Sequence, residues 1–347
     1  MNAAEILSIG EGEAMTLFPG PKNSINKRFR QLAQAWHPDV SGDPQAHRVF
    51  AHISLLHDIA IGRTTPSSGA PKAARPTVGK TWKLVGGGEL AVKANAVHRG
   101  ALGDVVVTSK TVAYETVAGF EDVADAEARA AGAFRFASQA MEKGMRHFLP
   151  RLSRRVDAVG LKVNIFERPT DTVLLTDLVR HMGGRIPPVH VAWIVSSLEN
   201  LACYLHWLGM SHGAISAENI LVSPAMHSTI LVGGWGYATS FGQRPKALPE
   251  RTLSLVPRLA VAGETVGPQV DLALVRATAL ELLGTSGSGG LALMKDVPDA
   301  LRMWLSLPPG EDAVKDYSSW EKCLVESFGP RKFVKLEVKP ADVYAAA

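Results

Sequence analysis

Two short polar stretches of this 347-residue chain combine side chains that could do chemistry. In the first, a proline separates an imidazole from a carboxylate, in the order His37, Pro38 and Asp39. The second, residues 212–221, reads HGAISAENIL and carries an imidazole at His212 and an amide at Asn219. Imidazole, carboxylate and amide groups transfer protons, hold metal ions or contact a partner, so each stretch is a candidate site.

The chain around the first stretch is predicted to form two helices. Ser24 is a suitable N-cap for a helix with one apolar face, made of Ile25, Phe29, Leu32 and Trp36. Pro38 ends this helix, because the residue before a proline is pushed out of the helical conformation. A second helix is predicted to begin at Asp43 and Pro44. Its residues facing the first helix are Phe50, Ile53, Leu56 and Ala60. The pattern predicts an antiparallel helical hairpin with a polar loop.

Residues 3–61 resemble the J-domain of DnaJ-type co-chaperones, an all-α helical hairpin. The resemblance depends on residues 29–33, which read FRQLA, and on the HPD tripeptide that follows. It implies that His37, Pro38 and Asp39 contact a DnaK-type chaperone ATPase and trigger its ATP hydrolysis. It also implies that a basic helix face meets the acidic surface of that partner, and this face consists of Lys27, Arg28 and Arg30.

The second stretch resembles the catalytic loop of protein kinases, whose pattern is H-R-D-L-K-P-E-N-I-L. A long helix is predicted before it, and Gly234 follows it at the place of the kinase D-F-G aspartate. Asp271 resembles the buried structural aspartate of the large kinase lobe. The resemblance covers residues 81–330 and implies a two-lobed protein-kinase-like domain.

The residues that kinase chemistry needs are largely replaced. The catalytic base position is Ala214, the loop lysine is Ser216, and the metal-binding aspartate is Gly234. Asn219 remains, but one amide oxygen holds Mg²⁺ poorly. Phosphoryl transfer depends on positioning and on that metal. The resemblance therefore implies a pseudokinase with no catalytic residue and no metal site.

Nucleotide binding is left open. The glycine-rich turn Gly86, Gly87 and Gly88 is weakly similar to a phosphate-covering loop. Lys110, or Lys93 on the preceding strand, could form an ion pair with Glu127. The alternative is that both lysines are exposed strand cations and Glu127 is a surface helix residue. We expect no cofactor, with weak or vestigial ATP binding as the open possibility.

The predicted fold class is α+β. Strands are expected at residues 82–85, 90–97, 104–112 and 163–166, and helices at 124–142, 189–208, 270–283, 299–305 and 316–328. Residues 62–80 are rich in proline and glycine and are predicted to be a mobile linker. This divides the chain into a hairpin (1–61), the linker (62–80), a kinase-like domain (81–330) and a partly docked C-terminal tail (331–347).

Composition excludes several classes of protein. Hydrophobic residues make up 46% of the chain and charged residues 20%, which argues against global disorder. No apolar run is long enough to span a membrane, and no secretory signal is expected. Cys203 and Cys323 are far apart, which suits a reducing cytoplasm. The net charge of +4 is too small to indicate nucleic-acid binding.

Other ring side chains are predicted to be structural. His47, His52 and His57 recur every five residues, a rotation of about 140° around a helix, so they share no face for a metal ion. We expect them on the surface or facing a partner. Trp193 and Trp235 are expected to pack in a core.

These patterns predict a co-chaperone or adaptor that is not an enzyme. Its HPD motif would recruit and stimulate a DnaK-like ATPase, and its kinase-like domain would bind a client protein. Two alternatives are a divergent nucleotide-binding transferase and a structural component of a larger assembly. Neither nucleic acid nor a membrane is an expected partner.

Overall fold

A computed structural model describes residues 2–10, 13–36, 41, 43, 45–61, 78–261 and 263–344. The chain divides into a small unit, Met1–Ala73, and a large unit, Ala74–Ala347. The described residues form many helices and several antiparallel sheets, in agreement with the predicted α+β class. None of their helices is both long and apolar enough to cross a lipid bilayer.

The small unit is helical. Its helices are α1 (Ala3–Leu7), α2 (Ala14–Leu17), α3 (Lys22–Ala35) and α4 (Ala46–Ala60). The N-cap of α3 is Pro21, so the prediction that Ser24 caps this helix is wrong. Proline suits this position because its ring fixes φ near the value a helix start requires.

The apolar faces of α3 and α4 pack together as predicted. Ile25 and Leu32 on α3 and Ile53 and Leu56 on α4 are buried in one core. Asn26, near the start of α3, lies 3.0 Å from the Nε2 atom of His57, near the end of α4, so the two helices run antiparallel.

The histidines of α4 are packed against the small unit. The ring of His57 is buried and stacks on Phe29 with 4.1 Å between ring centroids. The Nε2 atom of His52 lies 2.9 Å from the carbonyl oxygen of Ile9. The prediction that these two rings face solvent or a partner is therefore wrong, because both fill gaps between helices. The side chain of His47 lies outside the described residues.

Two sheets begin the large unit. Strands β1 (Val78–Lys83) and β2 (Glu89–Ala94) form one antiparallel pair. The second sheet has five antiparallel strands in the order β3-β4-β5-β7-β6. These strands are β3 (Ala96–Arg99), β4 (Asp104–Val107), β5 (Thr111–Val117), β6 (Leu152–Ala158) and β7 (Leu161–Glu167). Residues 78–80 thus belong to a strand, although the sequence placed them in the linker.

The predicted strand at 104–112 is interrupted. The chain turns at Thr108, whose side-chain oxygen accepts a hydrogen bond from the Thr111 backbone at 2.9 Å. This local bond closes a hairpin between β4 and β5.

The remaining strands are short and belong to small sheets. They are β8 (Val173–Leu174), β9 (Met210–Ser211), β10 (Ile220–Ser223), β11 (Ser228–Leu231) and β12 (Thr239–Ser240). Strand β10 lies between β8 and β11, while β9 pairs with β12.

The helices of the large unit include four of the five that the sequence predicted, a broken fifth and several short helices that it did not predict. They are α5 (Glu121–Gly132), α6 (Gln139–Met145), α7 (Leu175–His181), α8 (Pro188–Leu208), α9 (Glu250–Leu255), α10 (Pro268–Leu282), α11 (Ser288–Ala292), α12 (Asp299–Ser306), α13 (Ala313–Phe328) and α14 (Pro340–Tyr344). The predicted helix 124–142 breaks after Gly132, and Phe134 beyond the break packs edge-on against Trp235, with 4.8 Å between ring centroids.

One apolar core joins the five-stranded sheet to the helices around α8. It contains Val107 and Phe166 from the sheet, Leu198 from α8 and Leu274 from α10. Tyr344, near the C-terminus, is buried in the same core, and its hydroxyl accepts a hydrogen bond from the Leu174 backbone at 2.9 Å. The segment predicted as a partly docked tail is thus packed on the large unit.

Candidate functional site

The first predicted site lies on the small unit. Lys27 and Arg28 are exposed on α3, while Ile25 and Leu32 of the same helix are buried. The backbone of Arg30 belongs to α3, but its side chain lies outside the described residues, as do His37, Pro38 and Asp39. The structure therefore describes the helices on either side of the tripeptide and not its geometry.

The second predicted site is held by one buried carboxylate. Asp271 on α10 accepts hydrogen bonds from the backbone of His212 at 2.7 Å and of Gly213 at 2.9 Å. Burial raises the pKa of Asp271 to about 6, although these two bonds oppose the shift. Asp271 is therefore the buried structural aspartate that the sequence predicted.

His212 is a neutral structural residue. Its Nδ1 atom accepts a hydrogen bond from the Ala214 backbone, so the proton is on Nε2, which donates to the Gly233 carbonyl at 3.1 Å. Burial lowers the pKa of His212 to about 3. An imidazole with both nitrogens engaged in the backbone is poorly placed to exchange protons with a substrate.

Gly234 occupies a position that no larger residue fits. Its φ of +81° lies in the left-handed region, which glycine adopts without strain. A Cβ atom here would lie 2.8 Å from the Asn219 amide nitrogen and 3.0 Å from both the Ala214 Cβ and the His212 Cε1 atoms. Residues 212–219 thus fill the space that an aspartate side chain would need.

Glu127 binds the same backbone segment. Its two oxygens accept hydrogen bonds from the Gly234 backbone at 2.9 Å and from the Asn164 side chain at 3.0 Å. Burial raises the pKa of Glu127, and both bonds oppose that shift. Neither predicted role is correct, since Glu127 is buried and, among the described residues, pairs with no lysine.

The structure does not bring the predicted cations and glycines to this site. Lys110 lies in the exposed turn between β4 and β5, and Lys93 is exposed on β2. Gly86, Gly87 and Gly88 form the turn of the separate β1–β2 hairpin, closed by a bond from the Leu84 backbone to Gly88 at 3.0 Å. The prediction of a phosphate-covering loop there is wrong, because the turn lies outside the lining of the cavity.

Tyr114, which the sequence did not single out, crosses the site from β5. Its hydroxyl donates to the Glu218 carbonyl at 3.0 Å. A Cβ atom on Gly233 would lie only 2.2 Å from the Tyr114 ring, so glycine is needed for this close approach. The tyrosine ring occupies the space between β5 and residues 212–234.

The cavity that remains is small and acidic. Its volume is about 50 Å³, room for a few water molecules, whereas small-molecule pockets are typically about 300–1,000 Å³. Glu115, Glu127 and Glu218 line it, and no lysine or arginine does among the described residues. Burial raises the pKa of Glu218. Across the described chain, no group of three histidine, cysteine or acidic side chains could hold a metal ion.

Two sequence signals could have located this cavity. Residues 107–112 read VTSKTV, and the polar stretch between apolar runs is typical of a hairpin turn. A hairpin turn at these residues would have placed Tyr114 on the strand that precedes α5. Gly100 and Gly103, spaced G-x-x-G before Val105, line the cavity and match the end of a kinase glycine loop better than residues 86–88.

No model of a known protein family matches the chain. Among curated proteins, none is significantly similar to it in sequence.

Proposed function

We propose that this protein is a non-catalytic adaptor of the DnaJ co-chaperone type. Its small unit would recruit a DnaK-type ATPase and stimulate it through His37, Pro38 and Asp39. Its large unit would be a protein-kinase-like domain without kinase activity that binds a client protein. Cys203 and Cys323 are both unbonded, which suits the cytoplasm as the proposed location.

The packing of α3 against α4 carries the proposal. The two helices bury one apolar face each, and the residues between them in the sequence include the HPD tripeptide. On the solvent side of α3, Lys27 and Arg28 are exposed. Exposed cations favour encounter with an acidic protein surface, which supports a chaperone ATPase as partner.

The order of elements in the large unit supports a kinase-like fold. A five-stranded antiparallel sheet, with α5 after its third strand, precedes a mainly helical part around α8. Asp271 holds residues 212–213 by their backbone, as the resemblance to kinases implied. These features support the two-lobed, kinase-like fold.

The contents of the cavity support the absence of catalysis. The cavity beside Tyr114 has a volume of about 50 Å³, which is too small for a nucleotide. Among the described residues no lysine or arginine lines it, and Lys80, which lies outside the lining, is paired with Glu115 at 2.7 Å. We propose that the large unit needs no nucleotide or metal and that its surfaces, rather than its cavity, carry its function.

The proposed chaperone role is tested by the steady-state ATPase rate of a DnaK protein with the full-length chain. We expect stimulation by the native protein, and a return to the rate of DnaK alone with His37→Gln. His147→Gln, which changes an exposed histidine of the large unit, is the matched control and should stimulate fully. Equal stimulation by His37→Gln and the native protein, or none by either, would contradict the proposal.

Restoring the two missing kinase aspartates should not restore a kinase. Ala214→Asp combined with Gly234→Asp should lower the free energy of unfolding by about 2–3 kcal/mol, because residue 234 combines a left-handed backbone with close neighbours. Transfer of labelled phosphate from ATP to a general substrate protein should stay at background.

Gly242→Asp is the control for backbone strain. Its φ is +73°, but no atom would lie within 4 Å of the new Cβ. We expect a smaller loss of stability for this variant. Phosphoryl transfer by the double variant would contradict the proposed loss of catalysis.

A further inference from the structure

Positive charge is concentrated between α5 and β6. Residues 128–155 contain seven lysines and arginines and one acidic residue, a net charge of +6, whereas the whole chain carries +4. The seven are Arg129, Arg135, Lys143, Arg146, Arg151, Arg154 and Arg155. The rest of the chain is therefore net negative, and this segment is its basic surface.

Part of this segment forms a groove, which we call the basic groove. It lies between the end of α5 and the start of β6 and is lined by Ala128, Gly132, Arg146, Arg151 and Leu152, among others. Its volume is about 510 Å³, within the range of known binding sites. Small residues on α5 make it concave, and arginines border it.

Other basic residues lie next to the groove. Arg155 pairs with Asp125 on α5, and Arg129 follows Asp125 by one helical turn on the same face. Near the opposite end, the carbonyl of Arg135 accepts a hydrogen bond from Tyr204 at 2.8 Å. Arg146 lies near the same tyrosine, because its guanidinium covers the ring of Phe136, which stacks on Tyr204.

Most of these cations have no acidic partner. In the described part of the chain, Arg146 pairs with Glu142, and Arg155 shares Asp125 with Lys162. The other five are exposed and form no ion pair there: Arg129, Arg135, Lys143, Arg151 and Arg154. Unpaired cations around a concave surface produce a strong positive potential, which attracts an anionic partner.

Strand β6 provides hydrogen-bonding groups at the same place. It is an edge strand of the five-stranded sheet, paired with β7 on one side. On the opposite side of β6, the described contacts lie at its C-terminal end. There Ala158 forms a β-bridge with Leu84, and the Asp157 carbonyl accepts a hydrogen bond from the Val85 backbone. Between Leu152 and Arg154 the pairing of β6 with β7 shifts register, and no strand among the described residues pairs with the other edge of β6 at this place, so an added segment could bond to its backbone on either side of the irregularity.

The aromatic residues nearby do not favour nucleic acid. Phe134 packs against Trp235, and Phe136 is stacked on Tyr204 and covered by the Arg146 guanidinium, 4.7 Å from its ring centre. Single-stranded nucleic acids need free ring faces for base stacking. A concave groove also fits an extended chain better than a convex duplex.

We propose that the basic groove binds an extended, acidic segment of a protein partner. The segment would pair with the β6 edge through its backbone, and its carboxylates would contact Arg151, Arg154 and Arg129. Arginine suits this task because its guanidinium forms paired hydrogen bonds with carboxylates. The inference rests on the proposed adaptor function, since it names the chemistry by which the large unit recognises its client.

The probe is a fluorescein-labelled peptide of alternating glutamate and valine, measured by fluorescence anisotropy with the full-length protein. We expect binding that is lost at about 0.5 M salt and is absent for a peptide with glutamine in place of glutamate. Arg151→Glu combined with Arg154→Glu should weaken binding by about tenfold or more.

Lys295→Glu combined with Lys332→Glu is the matched control, since both lysines are exposed and the charge change is equal. It should change affinity by less than about twofold. No binding by the native protein, equal loss in the control, or tighter binding of oligothymidylate than of the peptide would overturn the proposal. The peptide-binding measurement involves no ATPase, so its outcome is independent of the chaperone assay. If the protein binds the peptide but does not stimulate a DnaK ATPase, the proposal for the basic groove holds and only the co-chaperone role is rejected.

Discussion

Replacing Gly233 with alanine should destabilise the large unit by about 3 kcal/mol. The new Cβ would lie 2.2 Å from the Tyr114 Cζ atom and 2.6 Å from its hydroxyl oxygen. The ring cannot move aside freely, because it packs edge-on against Phe166 and donates a hydrogen bond to Glu218. Either the ring or the backbone at residue 233 must shift, and the buried hydrogen bond is lost.

The measurement is the free energy of unfolding in urea, followed by tryptophan fluorescence. Gly144→Ala is the matched control, since no atom lies within 4 Å of its new Cβ, and it should change stability by less than about 1 kcal/mol.

A double-mutant cycle tests the cause. Tyr114→Ala should itself be costly, by about 3–5 kcal/mol, because it leaves a cavity. In that background, Gly233→Ala should cost less than about 1 kcal/mol, since the atoms it would meet are gone. Equal costs of Gly233→Ala in both backgrounds would show that Tyr114 does not fill the site as described.

Replacing Glu199 with glutamine should remove a large part of the pH dependence of stability. Glu199 on α8 is fully buried, and no donor among the described residues reaches its oxygens. Beside it, Arg276 forms two hydrogen bonds of 2.9 Å with Asp316. Burial raises the pKa of Glu199 to about 8, and the negative charge of Asp316 adds to this shift.

The direction of the effect follows from proton binding. The folded protein keeps a proton on Glu199 that the unfolded chain releases above its ordinary pKa of 4.5. The contribution of the protonated Glu199 to the free energy of unfolding is therefore fully present below pH 4.5, and it is lost as the pH rises to about 8. At about 1.4 kcal/mol per pKa unit, the loss is on the order of 5 kcal/mol.

Urea unfolding near pH 5 and near pH 9 measures this change. Glutamine resembles the protonated carboxyl group, so Glu199→Gln should match the native protein at low pH and exceed its stability at high pH. Glu321→Gln, at an exposed position on α13, should retain the native pH dependence. The same pH profile in Glu199→Gln and the native protein would mean that Glu199 is ionised when folded.

Local patterns predicted most of the helices. The long apolar helix of residues 189–208 is present as α8, and the apolar faces of α3 and α4 meet as their periodicity indicated. These succeed because burial of a repeating apolar face is determined within one segment. The helix predicted at 124–142 was wrong, since α5 ends at Gly132 and Phe134 packs on Trp235, a residue remote in sequence that no local pattern indicates.

The same distinction separates what the sequence alone determined about function from what required the tertiary structure. Residue identity alone shows that positions 214 and 234 carry no carboxylate, and it places His37, Pro38 and Asp39 in the sequence between two predicted helices. Only the fold decides that Glu127 bonds to the Gly234 backbone and that the Tyr114 hydroxyl bonds to the Glu218 carbonyl. Both contacts join residues about a hundred positions apart. Their formation depends on how the sheet and helices pack, and no local pattern encodes that packing.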